Sequence, residues 1–398
     1  MLWLMLVPTA WGQNDPADHE PPRLPPPNPS VYLRVLPGES LKAAPSSSIP
    51  PEPSVGPVLP QVARSGAPNS ALAPAASGMS QLARGASELW MVSTRRLVPN
   101  VSDGSPYFAP DVSRYVGGRG WVPSSLEELV RTPQGTSATT VFVHGNDTND
   151  EFAVRGGTNL FSELLGNPTA PAPPTRFVVW SWPNEPTTLR VRKIAQANAG
   201  RVNVEGYYLA AFLQRTVGHH PTGVVGYSSG AGVVTGALHV LGGGTLVGYR
   251  LASAPLQSAG IHAVLLGAAV PNEWLYPGRL HERALSQVEK LVITVNPADS
   301  VLRWYPLLWG KGGPGALGAT GIPNVSLLGS EQSKVVQLNV QGDLSNRHSW
   351  RYYAVAPQVI SLLRQEVSEL PATSMAGAMP RQRYARMPQE IPSSEQRR

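Results

Sequence analysis

The sequence predicts an α/β domain, a mostly parallel, doubly wound sheet with helices on both faces, and three observations predict it. Between about Ser87 and Leu370, short runs rich in Val, Leu and Ile recur without polar alternation, as in strands buried on both faces. They alternate with segments of helical character, the order expected of βαβ units. One run, Val224–Val225, enters a Gly-x-Ser-x-Gly turn and leaves it as a small-residue helix pattern, Ala231 to Leu238.

In chain order, the apolar runs place strands at Leu89–Ser93, Thr139–His144, Arg176–Trp180, Thr222–Tyr227, Ile261–Gly267, Lys290–Val295 and Val335–Val340. The segments between and after them place helices at Ser125–Arg131, Asn149–Leu165, Ile194–Val217, Ser229–Leu241, Gly278–Gln287 and Ala354–Leu370. The Gly-rich stretch Trp309–Gly321 lacks the Gly-Lys-Ser/Thr order of a phosphate loop and reads as a mobile loop near the site.

The flanks read differently. Residues 1–12 (MLWLMLVPTAWG) form a short apolar stretch ending in small residues. They resemble a secretory signal, although a basic n-region is lacking, so export to the periplasm or exterior is expected. Residues 13–86 carry much of the proline and read as a disordered linker with polyproline character. Residues 371–398, rich in Pro, Ser, Gln and Arg, read as a disordered basic tail.

Composition excludes several chemistries. The chain of 398 residues has no cysteine, which removes disulfides, thiol catalysis and cysteine-ligated metals. The net charge of +6 is scattered arginine with no basic stripe, so no nucleic-acid partner is expected. No run approaches the ~20 apolar residues of a spanning helix, so no stable membrane insertion is expected. No His-Glu-x-x-His motif or carboxylate cluster suggests a metal, so no metal and no cofactor are expected.

The Gly226-Tyr227-Ser228-Ser229-Gly230 turn is sharp, and a Cβ at its flanking positions would meet the neighbouring strand and helix. Ser228 would project from its tip. Asp299 follows the strand ending at Val295, and His348 follows the strand ending at Val340. A serine hydroxyl needs a base to take its proton, and a histidine base needs a carboxylate to fix its tautomer. The three types, in the order Ser, Asp, His, each follow a strand, where functional residues of doubly wound sheets sit. Upstream, Val143 runs into His144-Gly145-Asn146, so the backbones of Asn146 and Ser229 are the candidate oxyanion donors. Trp182 and Trp304 are candidate walls of an acyl pocket. His219, His220, His239, His262 and His281 read as surface or packing residues.

These features resemble the α/β-hydrolase superfamily, and more narrowly the bacterial alpha/beta hydrolases grouped as domain of unknown function 900. The similar stretches are WMVSTRR (Trp90–Arg96), VFVHGND before a helix, VVWSWP (Val178–Pro183), the elbow, and the Asp and His loops. The resemblance implies an α/β-hydrolase fold and a serine hydrolase acting on a small acyl substrate. Relatives usually carry His-Ser-Met-Gly at the elbow, where this chain has Tyr227-Ser228-Ser229-Gly230. They also often have an acid after the strand matched by Ile261–Gly267, which makes Glu273 a rival to Asp299, with Asp343 a third option. The expected function is a serine hydrolase of a carboxylic ester or related acyl compound; the alternatives are a peptidase or amidase with the same triad and a non-catalytic binding protein on a proline-rich stalk.

Overall fold

The computed structural model describes residues 87–97, 108–131, 138–146, 149–165, 174–184, 191–217, 221–252, 255, 260–309 and 312–370. The leader, linker and basic-tail assignments lie outside them, as do His219 and His220. Nine strands form one sheet: β1 (Glu88–Ser93), β2 (Asp111–Val116), β3 (Gly120–Ser124), β4 (Ala138–Val143), β5 (Thr175–Ser181), β6 (Thr222–Tyr227), β7 (Ile261–Leu266), β8 (Val288–Val295) and β9 (Val335–Asn339). Their spatial order is β3-β2-β1-β5-β4-β6-β7-β8-β9. Only the β1–β2 and β2–β3 pairs are antiparallel; β1 and β5, and every pair beyond, run parallel. The four main helices are α1 (Leu126–Val130), α2 (Asp150–Leu165), α3 (Val191–Thr216) and α4 (Gly230–Leu241). This is a mostly parallel, doubly wound α/β arrangement.

The strand period of two divides the core into halves. Val141, Val143, Val178, Trp180, Val224, Leu265 and Ile293 face a layer containing Tyr208, Leu213, Val233 and Leu238 of α3 and α4. Phe142, Phe177, Val179, Val225, Val264, Leu266 and Val292 face Leu160, Phe161 and Leu164 of α2 together with Val359 and Leu363. Successive residues thus enter opposite cores, which is why these strands read as unbroken apolar runs. Chain order reverses at β4, which lies between β5 and β6. The crevice at such a switch point is where doubly wound sheets place their chemistry. Among the described residues, no helix is long and apolar enough to cross a membrane.

Three expectations are corrected. The β2–β3 hairpin has no counterpart among the expected strands, although Gly117-Gly118-Arg119-Gly120 between two short strands is a turn signal. Its Pro123 suits an edge strand, where a missing N–H costs no ladder bond. Gly278–Gln287 is a chain of turns ending in a short 3-10 helix, Ala284–Gln287, rather than an α-helix. Tertiary contacts override helical propensity there: the His281 backbone bonds back to Trp274 and its side chain pairs with Thr235 of α4. The C-terminal helix begins later than Ala354, at Pro357, whose fixed φ suits a first turn, and ends in a π turn, Arg364–Ser368.

Candidate active site

Ser228 sits between β6 and α4 with φ of +53°. A non-glycine residue in this region is strained and persists only when its surroundings hold it. They do so here: Ser228 N donates to Leu266 O at 2.9 Å, while its carbonyl accepts from Ala231 N and Ala269 N at 3.1 Å each. The flanking glycines are required by close approach. A Cβ at Gly226 would lie 2.7 Å from Ala231 Cα, and one at Gly230 would lie 2.4 Å from Val143 O. The neighbours are backbone atoms that cannot swing aside. Thus β4 and the elbow touch through Gly230.

Ser228 Oγ lies 3.1 Å from His348 Nε2, and His348 Nδ1 lies 2.8 Å from Asp299 Oδ2. The other carboxylate oxygen of Asp299 accepts from Val301 N and Leu302 N, both at 2.9 Å, at the start of the 3-10 helix Leu302–Leu308. Asp299 is fully buried. Burial alone would raise its carboxyl, but the hydrogen bond and charge of His348 and the two backbone N–H groups together outweigh it, holding the acid below its ordinary value. An ionised Asp299 accepts from Nδ1–H, so the lone pair of His348 is on Nε2, facing the Ser228 hydroxyl. The acid and histidine loops are tied together by Asn296 Nδ2 to Ser345 O at 2.9 Å and Ser300 N to Asn346 O at 3.0 Å. Tyr227 adds a third tie, its hydroxyl donating to His348 O at 2.6 Å. Tyr227 at this elbow position therefore puts a phenol under the histidine loop.

The two rival acids lie elsewhere. Glu273 pairs with Arg279 at 3.7 Å and is part-exposed. Asp343 is exposed in the short helix Gln341–Leu344.

Gly145 and Asn146 follow β4, and a Cβ on Gly145 would lie 2.8 Å from Ser228 Cβ, so this loop abuts the serine. His144 underpins it. Burial, aided by the positive charge of Arg95, pushes its imidazole down to about 3, so the ring is neutral. Its Nδ1–H donates to Gly145 O at 2.8 Å and its Nε2 accepts from Trp182 N at 3.2 Å. His144 is a pin, not a base.

Trp182, expected to line a substrate pocket with Trp304, is 0 % exposed and is corrected to a packing residue. Its indole stacks on the His144 ring at 5.6 Å and its Nε1 donates to His144 O at 3.0 Å. Trp304, by contrast, is 57 % exposed on the 3-10 helix Leu302–Leu308, whose first turn Asp299 caps. In the described part of the Gly-rich stretch, Leu317 N bonds to Val270 O and Gly318 N to Ala268 O. Of the packing histidines, His239 and His281 are buried and His262 is part-buried between Glu289 and Glu366.

Sequence reasoning missed Glu205, because a lone glutamate in a long helix gives no signal of where its face points. It is buried in α3, and Thr94 Oγ1 donates to it at 2.7 Å. Burial pushes its carboxyl up to about 8, against the opposing effects of the Thr94 bond and of Arg201 and Arg95. The folded state therefore keeps a proton that the unfolded chain releases above its ordinary value of 4.5. Stability from this group is full below that value and is lost as pH rises toward about 8. Glu205→Gln is expected to melt increasingly above wild type as pH rises from 5 to 8. A melting difference that stays flat across that range rules the account out.

No family model and no curated protein sequence matches the chain. Among solved structures, Zea mays acyl-protein thioesterase 2 is similar at 17% identity and a TM-score of 0.34, covering 59% of this chain and 94% of that one.

Proposed function

We propose that the protein is a serine hydrolase cleaving a carboxylic ester or related acyl compound through Ser228, His348 and Asp299. The observation that carries this reading is the hydrogen-bonded chain from Ser228 Oγ through His348 to buried Asp299, built on a serine with φ of +53°. Ser228 Oγ attacks the acyl carbon as His348 Nε2 takes its proton. The tetrahedral oxyanion is held by the backbone N–H groups of Asn146 and Ser229. Nε2 then gives the proton to the leaving alcohol, and water releases the acyl group by the same steps in reverse. The resemblance to the hydrolases grouped as domain of unknown function 900, and export through residues 1–12, belong to the same proposal.

A fluorophosphonate probe tests it directly. Covalent labelling of the full chain at the peptide bearing Ser228 is expected, and an unlabelled folded protein would end the reading.

The apolar wall of the acyl site is assigned to Trp304. Val301, the cap of the 3-10 helix Leu302–Leu308, and Trp304 and Leu307 within it are exposed and spaced by three, so they share one face. That face begins two residues after Asp299. Trp304→Ala is expected to lower kcat/KM roughly 10-fold for a long-chain p-nitrophenyl ester and to spare the acetate. Equal losses on both esters would remove Trp304 from the substrate site.

A further inference from the structure

We propose, on the basis of the acyl-transfer reading above, that Asn184 is a positioning residue setting the separation of the two oxyanion donors. Those donors belong to different loops, Asn146 after β4 and Ser229 after β6. Asn184, beyond the end of β5, is buried. Its Nδ2 donates to Asn146 Oδ1 at 2.5 Å and lies 3.4 Å from Ser229 Oγ. One amide nitrogen carries two hydrogens, so a single side chain spans both loops. The segment leading to it grips the first loop as well. Trp182 holds His144 through both its backbone N–H and its indole, and Ser181 Oγ donates to Asp150 Oδ1 at 2.7 Å, at the start of α2. The Asn146 loop is thereby held against β5, and Asn184 carries that hold across to the elbow.

Oxyanion stabilisation depends on donors that are in place before charge develops. Asn184 bonds to the side chains of the two donor residues and not to their backbone N–H groups. Its loss acts through geometry, and a displacement of about 1 Å costs on the order of 100-fold in rate. An interaction realised only in the transition state lowers kcat and leaves KM nearly unchanged. Asn184 makes no contact with His348 or Asp299 among the described residues, so the pH profile should not move.

The test uses the full chain with Asn184→Leu, similar in size but without donors, and Asn184→Ala. Steady-state kinetics on a soluble p-nitrophenyl ester should show kcat lowered roughly 10- to 100-fold with KM within about twofold. The inhibition constant of a trifluoromethyl ketone, which mimics the tetrahedral oxyanion, should rise by the same factor. A variant with wild-type circular dichroism and melting that keeps wild-type kcat, or loses only KM, overturns the assignment. Should neither variant fold, Ser229→Ala removes one acceptor and leaves Asn184 in place. A several-fold loss of kcat at constant KM is then expected, and wild-type kcat would overturn the bridge. Failure of the hydrolase reading is distinguishable, because the wild-type chain would then escape the fluorophosphonate and both proposals would fall together.

Discussion

Ser228→Ala is expected to abolish fluorophosphonate labelling and to lower turnover on the order of 10⁶-fold, to the level that binding and oxyanion stabilisation supply by themselves. The size follows from what the substitution removes. Without Oγ no acyl-enzyme forms, and the lone pair that His348 presents has no proton to take. The fold should survive, because the bonds that hold residue 228 at positive φ are made by its backbone: N to Leu266 O, and O to Ala231 N and Ala269 N. Circular dichroism and melting should therefore match wild type. Labelling that persists in the variant would move the nucleophile to another residue and dissolve the proposed mechanism.

Asp299→Asn should cost on the order of 10⁴ in turnover, by the tautomer argument. The amide oxygen can replace the carboxylate oxygen that caps Val301 N and Leu302 N, so the 3-10 helix keeps its cap. The amide nitrogen then faces His348 Nδ1 and, as a donor, selects the tautomer with the hydrogen on Nε2. That hydrogen points at Ser228, and the base is lost. Glu273→Gln breaks only a part-exposed ion pair with Arg279, whose typical worth is 0 to about 1 kcal/mol, and should leave turnover near wild type. Turnover numbers of the two variants decide the matter, and the opposite ranking would transfer the orienting role to Glu273.

Several elements were legible before any coordinates. Strand β6 coincides with the expected Thr222–Tyr227, and α4 begins one residue after the expected Ser229. Both are dense in local signals, valines on both faces followed by a turn that only glycine can flank. The β2–β3 hairpin lies at the sheet edge, where half-buried residues give a weak apolar pattern. Gly278–Gln287 reads as helical, yet buried His281 fits between Thr235 and Trp274 only when the chain is bent there.

Local pattern thus determined the central strands and the elbow helix and nominated Ser228, Asp299 and His348, because strand ends, glycine turns and residue types are properties of short segments. Tertiary structure alone decided which acid faces His348. Asp299, Glu273 and Asp343 all follow strands, and only the packing of the Asn296–Ser300 turn against Ser345 and Asn346 brings one of them to Nδ1. The same holds for Trp182, His144, Glu205 and Asn184. Each carries a polar group, but its burial and its partner come from strands and helices far apart in the chain. A hydrogen bond across such a distance has no period or spacing by which a sequence can announce it.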